Sequence, residues 1–135
     1  MAKAEYDTLL RTLDRACDGL LFMSESDYPF ESFYWEFKGT LTPEKVIELA
    51  HEMEDAKVKE LTLDGFFKNA VAEESWFDSE EIRIARCFQN LVDTLKRNLE
   101  DIKVYRVGFA EAEVYIVGKP EIGGYAGLST HVVQT

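Results

Sequence analysis

Val104–Gly118 reads VYRVGFAEAEVYIVG. Two runs rich in valine, tyrosine and isoleucine, Val104–Phe109 and Glu113–Val117, alternate in polarity and are joined by a short acidic connection. β-branched and aromatic side chains fit a pleated surface. A connection this short makes the two runs pair antiparallel. Downstream, Gly118, Lys119 and Pro120 break the pattern, Gly123-Gly124 adds a flexible turn, and Ala126–Gln134 forms a closing strand. Upstream lies the longest helix, about Ser79 to Leu99. Asp78 and Glu81 open it with the spacing of a reciprocal capping box. Its apolar stripe is Ile84 or Ala85, Phe88, Leu91, Val92, Leu95 and Leu99.

Further out, Tyr6, Leu9, Leu10, Leu13 and Cys17 form one stripe of a helix from Lys3 to about Cys17, which Gly19 ends in the left-handed conformation. Phe30–Lys38 reads as a strand, with Phe33, Trp35 and Phe37 alternating against Tyr34 and Glu36. This aromatic strand could also serve a partner. Thr42-Pro43-Glu44 starts a helix with a cap, a proline at the first position and an acid in the first turn. Val46, Leu49, Ala50 and Met53 are its buried stripe, and His51–Lys59 is mostly solvated. Val58–Leu63 reads as a short strand. Asp64 caps a helix through Phe66, Phe67 and Ala70, and Val71–Trp76 is a loop. There is no repeat, low-complexity tract or linker, so residues 1–135 form a single domain. The predicted class is α+β: a three-layer α-β-α sandwich around a mainly antiparallel sheet.

The 135 residues carry a formal net charge of −11, and 46% are hydrophobic. That composition supports a core and argues against disorder. The charge argues against nucleic acid as a direct ligand, because phosphates need Lys and Arg. It suits a basic protein partner, or simply aids solubility. No apolar run approaches the roughly 20 residues of a membrane span. MAKAEYD lacks the basic-then-apolar pattern of a secretion signal, so the expected location is cytoplasmic.

The residues give little for catalysis. Cys17 and Cys87 both sit in apolar helical patterns and read as small buried hydrophobes, outside any metal spacing. Neither His51 nor His131 has an orienting acid at a telling spacing that would make it a base for a thiol. Glu25 with Asp27, and Glu111 with Glu113, are close acid pairs, but acids fall together by chance in so acidic a chain. There is no HxxxH, CxxC, EF-hand loop, GxGxxG or phosphate loop. No enzyme activity, cofactor or metal of its own is expected.

What remains is a pattern of presentation. Asp18–Glu31 reads DGLLFMSESDYPFE. Leu20-Leu21-Phe22-Met23 has to be buried, Ser24-Glu25-Ser26-Asp27 is a polar turn, and Tyr28-Pro29-Phe30 fixes the exit. Glu25, flanked by Ser24 and Ser26, is thereby offered to another macromolecule. Trp76 lies between Glu73-Glu74 and Asp78 in a loop. It is either an interface anchor ringed by charge or a ring folded inward onto the following helix. Thr135 ends a strand, so its carboxylate and hydroxyl form a cluster of hard oxygens able to ligate a divalent ion in another protein's active site.

Asp18–Glu31, the Asp64-Gly65-Phe66-Phe67 step, Trp76, VYRVG, VYIVG and AGLSTHVVQT (Ala126–Thr135) together resemble the nuclease A inhibitor (NuiA-like) family over nearly the whole chain. The likeness is weakest across Gly39–Glu60. It implies a sandwich related to the plant pathogenesis-related PR-1 proteins. It also implies inhibition of a sugar-nonspecific, Mg²⁺-dependent ββα-metal nuclease through its active-site groove. On that likeness Glu25 matches the acid that pairs with a nuclease arginine, and Trp76 an interface aromatic. Thr135 matches the terminal residue whose oxygens reach the nuclease's metal. The alternative is an acidic protein–protein interaction module for another basic partner.

Overall fold

The computed structural model describes residues 2–23, 27–53 and 55–133. The elements are α1 (Ala2–Cys17), β1 (Leu21–Met23), β2 (Asp27–Pro29), β3 (Glu31–Trp35) and α2 (Pro43–Leu49). They continue with β4 (Val58–Leu61), α3 (Leu63–Val71), α4 (Ser79–Asn98), β5 (Leu99–Gly108), β6 (Glu111–Pro120) and β7 (Tyr125–Val133). The fold is α+β. Five strands form one sheet in the order β3-β7-β6-β5-β4, and every pairing is antiparallel. β1 and β2 make a separate antiparallel pair. No helix among the described residues is long and apolar enough to cross a membrane.

The expected hairpin is β5–β6, with Val104 opposite Ile116 and Val107 opposite Glu113. Strand alternation sends its residues to two cores. Val104, Val114 and Ile116 join Ala126 and Leu128 under α1, α3 and α4, where Leu13, Phe67, Leu91 and Leu95 are fully buried. Tyr105, Val107, Tyr115 and Val117 point the other way, onto Val46 of α2 and the rings of Phe33, Trp35 and Phe37. The sheet is therefore covered on both faces. β7 can lie close to β6 because position 127 is glycine. A Cβ there would stand 1.7 Å from the Ile116 carbonyl oxygen.

Local signals set most helix ends. The Asp78 side chain accepts from Glu81 N at 2.8 Å, and Glu81 accepts in return from Asp78 N at 3.1 Å. Thr42 caps α2 through Lys45 N, with Pro43 in the first turn. Gly19, at φ +77°, ends α1 as expected.

Several expectations fail for identifiable reasons. The α3 cap is Thr62, whose hydroxyl takes the Gly65 N–H, and Asp64 lies inside the first turn. Gly118-Lys119-Pro120 continue β6. β5 begins directly after α4 and pairs Leu99 with Pro120 across a bulge, with Asp101 at φ +51°. That bulge absorbs the irregularity that Gly118–Pro120 announces in sequence, and Pro120 ends the strand where its missing N–H costs little. β3 is shorter than Phe30–Lys38. Met53 is 74% exposed and lies beyond the end of α2 rather than on its stripe. In Leu20–Met23, Leu20 just before β1 is buried but Leu21, the first residue of β1, is 45% exposed, because side chains alternate along extended chain. Cys87 is half-buried, while Cys17 is buried as expected.

Candidate functional site

An open groove of about 1070 Å³ lies between α3–α4 and the end of the sheet where β5 turns into β6. Phe66 and Ala70 of α3, Ile84 and Phe88 of α4 and Leu61 of β4 make it apolar. Three remote stretches meet on the same groove: Phe22 from β1, Phe77 from the α3–α4 loop and Val132 from β7.

The β1–β2 pair is held by its base. Phe22 stacks on Phe66 with centroids 4.3 Å apart and meets Phe67 edge-on at 6.1 Å. Across the strand, the Tyr28 ring stands edge-on to His131 at 4.7 Å. The buried Thr130 hydroxyl donates to the Pro29 carbonyl at 2.9 Å. β7 thus grips β2 with two consecutive side chains that leave the strand on opposite sides. Ser24, Glu25 and Ser26, between β1 and β2 in sequence, lie outside the described residues, and so does Thr135.

Trp76 is described, and its indole is 75% exposed. It does not fold inward onto α4; its neighbour Phe77 enters the groove instead, meeting the indole edge-on at 6.2 Å. The loop is pinned at both ends. Gln89 donates to Val71 O and to Glu73, each at 2.9 Å, and Arg86 reaches both Glu73 oxygens at 3.3 and 3.4 Å. These bonds, Gln89 first and then Arg86, hold the Glu73 carboxyl below its ordinary range. The far end is the Asp78–Glu81 capping box. A large ring on a braced loop loses little freedom when it docks.

Burial, reinforced by Asp14, pushes the Cys17 thiol up to about 11, so it stays protonated and inert. His131 Nδ1 lies 2.5 Å from Glu113 Oε1, so this histidine does have an orienting acid, which its neighbour across the β6–β7 register supplies and sequence spacing does not reveal. His51 sits on an exposed turn at φ +58°. Among the described residues no group of three or more His, Cys, Asp or Glu side chains could hold a metal ion.

The sequence model of the nuclease A inhibitor-like protein family matches residues 7–135. This chain belongs to that family. No curated protein matches it. Beside the positions that carry the likeness to the nuclease A inhibitor-like family, the groove holds residues no motif marks. Phe109, 82% exposed at the β5–β6 turn, is one. A phenylalanine between Gly108 and Ala110 at a hairpin tip was a usable signal, since nothing there can bury it. The Phe22–Phe66 stack and the facing of Lys59 with Arg106 had no such signal, because each needs the strand register.

Proposed function

We propose that the protein inhibits a nuclease by covering its active-site groove as an acidic substrate mimic. The target is a sugar-nonspecific, Mg²⁺-dependent ββα-metal nuclease in the same cell. Glu25 stands in for a phosphate against an arginine in a charge-assisted pair, with Ser24 and Ser26 bonding beside it. Trp76 is the buried anchor. The oxygens of Thr135 take a position at the nuclease's Mg²⁺ that water or substrate needs. The scaffold is a PR-1-like three-layer α-β-α sandwich. The protein does no chemistry itself and binds no nucleic acid directly.

The observation that supports this reading is convergence. Phe22, Phe77 and Val132 line one groove, and each lies within three residues of Glu25, Trp76 or Thr135 in sequence. That described neighbours of all three candidate positions meet on one groove supports a single partner for the three segments. The formal charge of −11 then steers the protein towards a cleft built for polyanions.

The test is a nuclease assay with Mg²⁺ and equimolar protein. Stoichiometric loss of activity is expected, with association slowing as salt rises. Glu25→Ala should cost about 2–5 kcal/mol of binding, and Trp76→Ala about 2 kcal/mol. Removing Thr135 should weaken inhibition most when Mg²⁺ is present. Undiminished nuclease activity at equimolar protein would overturn the reading, and binding to other basic proteins would then favour the general interaction module.

A further inference from the structure

Phe109 is the most exposed large apolar side chain among the described residues, at 82%. A lone exposed ring is ordinary. This one is held in place and has company. The Arg106 guanidinium donates to Phe109 O at 2.7 Å and to Gly108 O at 3.4 Å. Gly108 N donates in turn to Lys57 O at 2.9 Å. The β5–β6 turn is thus fastened both to its own strand and to the segment before β4. The β6–β7 register fixes what lies beside it. Glu111 faces Val133 and Ala112 faces Val132, so Phe109 sits at the end of the sheet where β7 runs on towards Thr135. Phe109 lines the groove together with Val132, Phe22 and Phe77. Trp76, itself 75% exposed, meets Phe77 edge-on. The two most exposed rings among the described residues therefore lie on or next to one groove.

We propose that Phe109 is a further anchor of the nuclease interface and docks into an apolar recess of the nuclease beside its basic cleft. This rests on the nuclease reading above and adds a contact that charge cannot supply. Burying an exposed phenylalanine removes a large apolar area from water. A turn already fastened by its own hydrogen bonds loses little freedom on docking. Binding energy concentrates in a few such side chains, enclosed by a polar rim. The exposed Glu111, next along the turn after Ala110, supplies part of that rim. A second copy of this chain suits the ring less well, because two chains of formal charge −11 repel each other. A basic partner is attracted to the same surface. An apolar anchor adds nothing to long-range steering, so its contribution falls on the lifetime of the complex.

The nuclease of the same cell, loaded with Mg²⁺, is titrated with the wild-type protein, Phe109→Ala and Phe109→Leu. Association and dissociation rates are followed at low and high salt. Phe109→Ala should speed dissociation on the order of tenfold and leave the association rate unchanged. The ratio to wild type should be the same at both salt concentrations, since no charge is removed. Phe109→Leu, which keeps an apolar side chain, should recover part of the loss. The melting temperature of Phe109→Ala should match that of wild type, because the ring packs on little in the folded chain. Inhibition by wild type with an unchanged dissociation rate in Phe109→Ala would overturn this proposal and leave the nuclease reading standing. Failure of the wild-type protein to inhibit would overturn both. A wild-type dimer in sedimentation that Phe109→Ala dissolves would assign the ring to a second copy and would also overturn the proposal.

Discussion

Under α1, α3 and α4 the sheet turns aliphatic side chains towards phenylalanine rings, whereas under α2 it presents tyrosine. On the first face Phe22, Phe30, Phe66, Phe67 and Phe88 contact one another ring to ring and offer no polar atom. On the second, Tyr115 donates to Glu52 at 2.5 Å and Tyr125 donates to the Gly39 carbonyl at 2.9 Å. The cover explains the difference. α4 has 20 residues and α1 has 16, and each satisfies its own backbone. α2 has seven, and the rest of that layer is loop. A loop laid on a sheet carries carbonyls and carboxylates that need donors, and a tyrosine supplies apolar area and a donor together. Phe33, Trp35 and Phe37 pack on Tyr115 and Tyr125 and add apolar area to that face. In this structure those rings build the second core.

The contrast predicts unequal costs. Phe67→Ala, at a fully buried ring under α3, should destabilise the protein by about 3–5 kcal/mol in urea unfolding. Tyr115→Phe keeps the ring and removes only the donor to Glu52, so about 1–3 kcal/mol is expected. A double-mutant cycle with Glu52→Ala, which removes the acceptor, should return most of that as coupling. If Tyr115→Phe cost as much as Phe67→Ala, the hydroxyl would carry that face and the comparison would fail.

Alkaline pH separates the faces further. Burial, and then Asp14, raises the Cys17 thiol from its ordinary 9.0 to about 11. The unfolded chain therefore ionises first. The stability this thiol contributes is complete below pH 9 and is lost as pH rises towards 11. Tyr115 is also raised, by burial and then by its bond to Glu52, from an ordinary 10.0. Its loss begins one unit later. Unfolding followed from pH 8 to 10.5 should show a decline starting near 9 that Cys17→Ala removes. A second decline above 10 should shrink in Tyr115→Phe, leaving the part due to Tyr105, which burial also raises.

Legibility in the sequence followed the range of the interactions. The hairpin at Val104–Gly118, the Asp78–Glu81 box and the stripe of α4 rest on neighbours a few residues apart, and all three are observed. β1 and β2 have three residues each, too short for an alternation to register. The cap of α3 was misread because Thr62 and Asp64 both suit that role, and only the chain path out of β4 selects the threonine. The groove was invisible, since it needs β1, β4, α3, α4, the β5–β6 turn and β7 assembled together. Of the candidate binding positions Trp76 alone falls among the described residues, and sequence left it evenly divided between docking outward and packing inward.

Trp76 belongs to neither face of the sheet, and that gives the smallest effect. Its indole is 75% exposed and touches Phe77 only edge-on. Trp76→Ala should change unfolding free energy by less than about 0.5 kcal/mol, as for a surface site with no special role. Trp35, half-buried against Phe33 and Tyr115, is the internal control. Acrylamide should quench the Trp35→Phe protein, which keeps Trp76, more strongly than the Trp76→Phe protein, which keeps Trp35. A loss above about 1 kcal/mol in Trp76→Ala, or equal quenching of the two single-tryptophan proteins, would mean that the indole packs inward in solution. A large apolar ring with no intramolecular gain from its position is held outward by the bracing of Glu73 and Asp78. Its apolar area stays open to solvent, where a partner can cover it.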